Sequence, residues 1–280
     1  MTTRNTVLHI QKMRDQGQPI AMLTAYDATS ARLSELAGVP MLLVGDTLGM
    51  VIQGHPATIP VTLDQMIYHA AIVVRTTQAP LIVGDMPFGT YTVSIEQAVQ
   101  NSIRLMQESG VSAVKLEGGE RIAPTIARIV QAGIPVMAHI GLTPQSVNSF
   151  GGFKVQGRNL ETARQLLRDA DAVQAAGAFA VVLELVPTPL AKAITDRLAI
   201  PTIGIGAGPH TNGQVQVFHD ILGLFDDFIP RHTRRFVEAG ATMRQGIQQY
   251  IADVEARRFP TKDHSFTMQA DILSNVLKEE

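Results

Sequence analysis

At 280 residues the chain is longer than a typical domain, yet within the ~200–300 residues that α/β barrels span as one unit. Hydrophobic residues make up 45% and charged residues 17%, a balance that fills a large core and excludes disorder, while a net charge of −2 gives no footprint for nucleic acid or an anionic membrane. Cysteine is absent, which excludes disulfides, thiolate catalysis and cysteine-ligated zinc or iron–sulfur centres.

In chain order, Met1-Thr2-Thr3-Arg4-Asn5 leads into polar residues with no apolar signal core, and no run of ~20 apolar residues follows, so a cytoplasmic protein is expected. Residues 6–14 are expected to form a helix plugging the bottom of a barrel. Short β-rich runs, most opened by Pro or a small residue, predict strands over 19–26, 40–46, 80–86, 111–117, 135–141, 179–186, 202–206 and 227–230. Several are nearly continuous apolar stretches, as parallel strands covered on both faces require. Helical spacing predicts helices over 63–77, 95–109, 123–132, 160–176 and 190–198. Gly38, Gly110, Gly133 and Gly177 each stand where a left-handed C-cap would close a helix before the next strand.

Eight strand–helix units without a linker predict a (β/α)₈ barrel, with an open doubly wound sheet as the alternative. The chain reads as one domain over 1–266; it takes on the character of a tail after Phe259, and 267–280 are left outside the domain. Two long connections follow strands, 47–61 and 142–159, and the second mixes glycines, aromatics and polar groups as lids do.

Chemistry in a barrel belongs at the C-terminal strand ends. There the predicted strands carry Asp46, Asp85, Glu117, His139 and Glu184, each interrupting an apolar run where an unpaired charge is costly. Neighbouring strands lie ~4.8 Å apart, so Asp46, Asp85 and Glu117 are expected to converge. Carboxylates so crowded repel unless a cation or proton separates them, and a hard ion such as Mg²⁺ answers that need. The bland alternative is a set of helix caps and loop ion pairs.

Lys115 shares a face with Glu117, and is read as a partner for the acids, an anchor for an anionic substrate, or a Schiff-base amine. His139 either binds substrate or satisfies the core. Glu184, flanked by Val181, Val182, Leu183, Leu185 and Val186, is partly desolvated and suited to act as a general base. Gly204-Ile205-Gly206-Ala207-Gly208 lacks the spacing of a dinucleotide loop because Pro209 holds the next position, though it is expected to bring backbone close to a ligand. No Walker A sequence, nucleophile elbow or H-E-x-x-H pair is present.

Thr24-Ala25-Tyr26-Asp27, Val44-Gly45-Asp46-Thr47-Leu48-Gly49-Met50, Gln53-Gly54-His55, Lys115-Leu116-Glu117-Gly118-Gly119, His139-Ile140-Gly141-Leu142-Thr143-Pro144-Gln145, the Gly204–Gly208 run and His264-Ser265-Phe266 together resemble the ketopantoate hydroxymethyltransferases. The resemblance runs from about Thr6 to Phe266. It implies a (β/α)₈ barrel of the phosphoenolpyruvate/pyruvate superfamily. The implied reaction transfers a one-carbon unit from 5,10-methylenetetrahydrofolate to 3-methyl-2-oxobutanoate, giving 2-dehydropantoate for pantothenate and coenzyme A through a Mg²⁺-stabilised enolate.

Matched by motif, Asp46, Asp85 and Glu117 correspond to the metal site, Asp46, Thr47, Asp85, Lys115 and His139 to substrate-contacting or other active-site positions, and Glu184 to the proton acceptor. The family resemblance also implies a large homo-oligomer, commonly a decamer. Thr47 stands where Ser is frequent, Phe153 where Tyr is frequent, and the tail after Phe266 is longer than the family pattern leads one to expect. The alternatives are a carbon–carbon lyase of the same superfamily, whose frequent lid cysteine this chain lacks, and a non-catalytic metabolite-binding barrel.

Overall fold

Parallel strands with helices between them dominate the computed structural model, which describes residues 4–225 and 229–278 and the backbone alone at Phe150. β1 (Ile20–Thr24), β2 (Met41–Val44), β3 (Leu81–Asp85), β4 (Ala113–Glu117), β5 (Val136–Gly141), β6 (Ala180–Glu184), β7 (Thr202–Ile205) and β8 (Gly213–Gln216) pair in chain order. β8 closes on β1. The result is a closed barrel rather than an open sheet.

The two-residue period of a strand explains how the barrel fills. Met22, Met41, Leu43, Leu81, Val83, Ala113, Met137, Ala180, Val182, Ile203 and Val215 point inward and form a packed interior cluster. The alternate residues, among them Leu42, Val44, Ile82, Val114, Leu116, Val181 and Leu183, face the surrounding helices in a second cluster. Continuing the inward series by one period reaches Asp85, Lys115, His139 and Glu184, and a second period on β4 reaches Glu117. The same alternation that packs the core therefore aims these groups into the barrel mouth.

The helix Val7–Asp15 closes the bottom, with Ile10 fully buried in the interior cluster and Val7 and Met13 packed on it. Arg14 fixes it to the rim by donating to the Leu198 carbonyl, while the preceding Arg4 donates to the carbonyls of Val74, Thr77 and Pro80. The predicted helices are found at Leu63–Thr76, Ile95–Ser109, Ala123–Gln131, Leu160–Ala175 and Thr188–Arg197. Gly38, Gly110, Gly133 and Gly177 all have the positive φ expected of them.

The last strand differs from the expectation. Asp227 and Phe228 lie outside the described residues and 229–230 are not extended into a strand; β8 is Gly213–Gln216 instead. No helix covers the 206–212 connection between β7 and β8, so the outward positions Gln214 and Gln216 are polar and the apolar run that marks a strand is missing.

By contact density the chain divides into one unit of Met1–Ile221 and Ile229–Arg234, and another of Leu222–Phe228 and Arg235–Glu280. The division thus falls well before residue 266. The second unit contains a 17-residue helix, Ala239–Glu255, that exposes Met243, Ile247, Tyr250, Ile251 and Val254, and a further helix, Ala270–Val276. Among the described residues no helix is long and apolar enough to cross a membrane.

Replacing Ile10 with Ala leaves a cavity at the barrel floor and is expected to cost about 2–5 kcal/mol of stability. A denaturant midpoint equal to the parent's would show that the plug is not part of the core.

Candidate active site

Five side chains reach the barrel mouth directly from strand ends. Asp85 ends β3, Lys115 and Glu117 lie on β4, His139 on β5 and Glu184 at the end of β6. Asp46 follows two residues after β2, where the chain turns into the short helix Leu48–Val51. Its backbone N–H donates to Asp85 Oδ2 at 3.2 Å, which draws the two aspartates together.

Lys115 sits among the acids, with Nζ 2.8 Å from Asp85 Oδ1, 4.0 Å from Glu117 Oε1 and 3.3 Å from His139 Nδ1. His139 bridges the other two acids, its Nδ1 3.5 Å from Glu117 Oε1 and its Nε2 3.2 Å from Glu184 Oε2. Thr47 is held by Tyr26, whose hydroxyl lies 2.7 Å from Thr47 Oγ1. All the sequence-derived site residues line one cavity of about 60 Å³, together with Thr24, Pro144 and Val182 among others. At ~30 Å³ per water molecule, that space admits only small polar groups as it stands.

Four acids here face two bases. Burial and the charges of Asp85 and Glu117 push the Asp46 carboxyl well above the usual carboxylate range, against the pull of Lys115 and Gln145. Asp85 is also raised, by burial first, with Lys115 opposing and Glu117 adding to it. Glu117 goes the other way: burial raises it, but His139, Lys115 and the Gln145 N–H together hold it below its ordinary value. Burial alone would lower Lys115, yet Asp85, Glu117 and Asp46 outweigh it and keep the ammonium protonated. That counts against the Schiff-base reading.

His139 is pulled down by burial and by Lys115, but the adjacent carboxylates of Glu117 and Glu184 prevail and it is pushed up to about 9. Glu184 is the outlier in exposure. Its side chain keeps 15% of its surface open, against 3% for Glu117, so it is less desolvated than its apolar strand neighbours imply.

Backbone geometry around Glu184 is specialised. Leu185 has φ 46°, a left-handed conformation for a bulky residue that costs roughly 1–3 kcal/mol. The Leu142 N–H donates to the Glu184 carbonyl at 2.8 Å, and a Cβ on Gly141 would overlap that carbonyl. Packing requires glycine at two positions of the 204–208 run: a Cβ on Gly206 would strike Leu185, and one on Gly208 would strike Thr188.

Two residues without an assigned role join the site. Gln145 is 5% exposed; its Nε2 donates to Asp46 Oδ2 and to the Met86 carbonyl, both at 2.9 Å, and its backbone N–H donates to Glu117 Oε2 at 3.0 Å. Tyr91, from the loop after β3, donates to Gln145 Oε1 at 2.7 Å. Gln145 belongs to a motif string quoted above, but nothing in the sequence around Tyr91 marks it. Asp27 in the first motif is a helix cap, accepting from the Ser30 N–H. A larger groove of about 1010 Å³ runs beside β7 and β8 and is lined by none of the four acids.

A closed eight-stranded parallel barrel with acids, a lysine and a histidine gathered at its C-terminal mouth defines the class: a (β/α)₈ enzyme with a polar strand-end site. A sequence profile of the ketopantoate hydroxymethyltransferases matches residues 4–262, and the chain belongs to that family. It is 58% identical over 274 residues to the 3-methyl-2-oxobutanoate hydroxymethyltransferase of Chloroflexus aggregans (strain MD-66 / DSM 9485), covering 98% of each chain. It is 54% identical over 277 residues to the Gluconacetobacter diazotrophicus (strain ATCC 49037) protein of the same name, covering 99% of this chain and all of the relative.

The chain is thus a hydroxymethyl-transferring enzyme. The extent of these alignments also corrects one expectation, since relatives of this length include the segment after Phe266. Among solved structures, the phosphoenolpyruvate phosphomutase of Streptomyces platensis subsp. rosaceus superposes with TM-score 0.61 at 16% identity, covering 98% of this chain and 96% of that one. A phosphonopyruvate hydrolase solved with oxalate and Mg²⁺ gives 0.60 at 12% identity, with the same coverage. These two likenesses concern the fold.

Proton binding at His139 has a consequence for stability. Its pKa is raised from 6.5 to about 9 on folding, so its contribution is complete below pH 6.5 and is lost as pH rises through 9. For metal-free protein, the slope of thermal midpoint against pH in that window is expected to become shallower in His139→Asn. An unchanged slope would mean that His139 takes up no proton on folding.

Proposed function

We propose that the chain transfers the one-carbon unit of 5,10-methylenetetrahydrofolate to 3-methyl-2-oxobutanoate, forming 2-dehydropantoate for pantothenate and coenzyme A synthesis. The observation that carries this reading is the excess of buried acid around the small strand-end cavity, within a chain 58% identical to a protein named for that oxo acid.

The donor set suits a divalent cation such as Mg²⁺. Asp46 and Asp85 are hard oxygen donors from adjacent strand ends, and the buried Asp85 Oδ1 takes no aligned hydrogen bond although Lys115 Nζ is close by. The charge imbalance that raises both aspartates would be relieved by the ion. Among the described residues no group of three acids or histidines already forms a complete ligand cluster. Asp46 and Asp85 are therefore assigned as direct ligands, with Glu117, occupied by Gln145 and His139, acting through water. Such an ion would supply Lewis acidity at the keto oxygen, easing removal of the C3 proton of the oxo acid.

The chain's own residues do the rest. Lys115 offers a fixed positive charge beside Asp85 for the substrate carboxylate, and Thr47, held by Tyr26, offers a hydroxyl at the rim. Glu184 is the acid that reaches the cavity with an open face, and it accepts the C3 proton. His139, protonated between Glu117 and Glu184, positions that carboxylate. A homo-oligomer belongs to the same reading, supported by the apolar residues that the helix Ala239–Glu255 exposes.

Glu184→Gln is expected to abolish exchange of the oxo acid's C3 hydrogen with deuterated water, while binding of the oxo acid, followed by calorimetry, stays within a few-fold. Retained exchange would remove Glu184 as the base. In the parent enzyme, 2-dehydropantoate formation from the two substrates should stop in chelator and return with Mg²⁺. Full turnover in chelator would sink the metal assignment, and no product with Mg²⁺ present would sink the reaction.

A further inference from the structure

We propose that Gln145 is a positioning residue for the cation site, setting the orientation of the Asp46 carboxylate and tying it to the start of the long β5–β6 connection. This rests on the reading of Asp46 as a cation ligand, but it concerns a residue to which that reading gives no role.

Hydrogen-bond polarity fixes the Gln145 amide one way round. The Met86 carbonyl can only accept, so Nε2 must face it at 2.9 Å. On the other side, the Glu117 N–H faces Tyr91 Oη at 3.3 Å, and of the two acceptors open to the Tyr91 O–H, Gln145 Oε1 at 2.7 Å is far nearer than the Glu117 carbonyl at 3.4 Å. Flipping the amide would set Oε1 against a carbonyl and Nε2 against a hydroxyl donor. The second Nε2 hydrogen is then committed to Asp46 Oδ2. Both hydrogens of Nε2 are used, Oε1 is satisfied, and the side chain is 5% exposed, so water competes for none of these bonds.

Two consequences follow at Asp46. Oδ2 is held as an acceptor facing Gln145, which leaves Oδ1 as the oxygen free to serve the cavity. The carboxylate plane is also fixed against rotation before any ion arrives, which lowers the ordering cost of binding. The same residue's backbone N–H donates to Glu117 Oε2 at 3.0 Å, so one residue touches acids from two different strands. Gln145 lies in the 3₁₀ turn Pro144–Ser146, immediately before the helix Val147–Phe150 that opens the long connection. Displacement of that turn would release Asp46.

The test uses Mn²⁺ as the probe, with its dissociation constant read by electron paramagnetic resonance on the full chain without substrate. Partners that orient a metal ligand typically change affinity 10- to 100-fold when removed, and a loss of about that size is expected for Gln145→Ala and Gln145→Met, read in protein that circular dichroism shows to be folded at the assay temperature. Tyr91→Phe, which leaves Gln145 Oε1 without its donor and loosens the amide, should lose roughly 2- to 10-fold. It should add nothing further in the Gln145→Ala background, because it acts through Gln145.

Mn²⁺ affinity within about twofold of the parent in both Gln145 variants, with Asp46→Asn strongly impaired, would overturn the positioning role and leave the cation site standing. Unchanged affinity in Asp46→Asn would instead overturn the ligand reading on which it rests. Losses from Tyr91→Phe and Gln145→Ala that add in full would also overturn the proposal. If Gln145→Ala does not fold, Gln145→Met and Tyr91→Phe give the same decision.

Discussion

Repulsion among Asp46, Asp85, Glu117 and Glu184 is the constraint around which the rest of the site is built. A parallel barrel brings strand ends within ~5 Å of one another and turns alternate side chains inward, so acids at corresponding positions meet whether or not this is favourable. Lys115, almost fully buried beside Asp85, keeps the cluster from being uniformly negative, and His139 separates Glu117 from Glu184. Two bases do not neutralise four acids. The remaining imbalance, expressed as the upward displacement of Asp46 and Asp85, would be relieved by a small cation at the barrel mouth. Stability is spent at the mouth and recovered in the interior and helix-facing clusters below it.

The same residue type performs different tasks because its surroundings differ. Glu117 and Glu184 flank one histidine, yet Glu117 is buried and saturated by Gln145, His139 and Lys115, whereas Glu184 faces the cavity with open surface. A saturated carboxylate is a fixture; an open one can take a proton. The left-handed Leu185 and the close approach of Gly141 to the Glu184 carbonyl hold the backbone beneath this open group. Strain next to a group that must stay aimed but free is an arrangement often found at catalytic positions.

Much of this was legible in the sequence, and the failures have physical causes. Strand ends were readable because Asp85, Glu117, His139 and Glu184 each break an apolar run, and helix ends because glycine follows them. β8 was not, since Gly213–Gln216 lacks a helix over its outer face and so lacks the apolar residues that advertise a strand. The helix Ala239–Glu255 was missed for a related reason: it buries no residue, has no side-chain N-cap, and carries Gly240 and Gly246 within its length. Gln145 and Tyr91 belong to loops, where no periodicity assigns a direction to a side chain. Their importance depends on which donor faces which acceptor, and that requires coordinates.

Fold alone would not have separated this enzyme from its structural neighbours, which include by name a mutase, a hydrolase and a lyase on barrels that superpose with TM-scores near 0.6. The difference has to lie in groups placed on the shared strand ends. A cleavage reaction leaves a carbanion that must be given a proton, so its site keeps an acid near the reacting carbon after the bond breaks. Here the chain contains no cysteine to serve in that way. Lys115 is paired with Asp85, and His139, though it lines the cavity, lies between two carboxylates. The most open of these groups is the Glu184 carboxylate. On the proposed reading that carboxylate takes the C3 proton and the activated carbon then meets a carbon electrophile, so no proton has to be returned to it, as hydroxymethyl transfer demands.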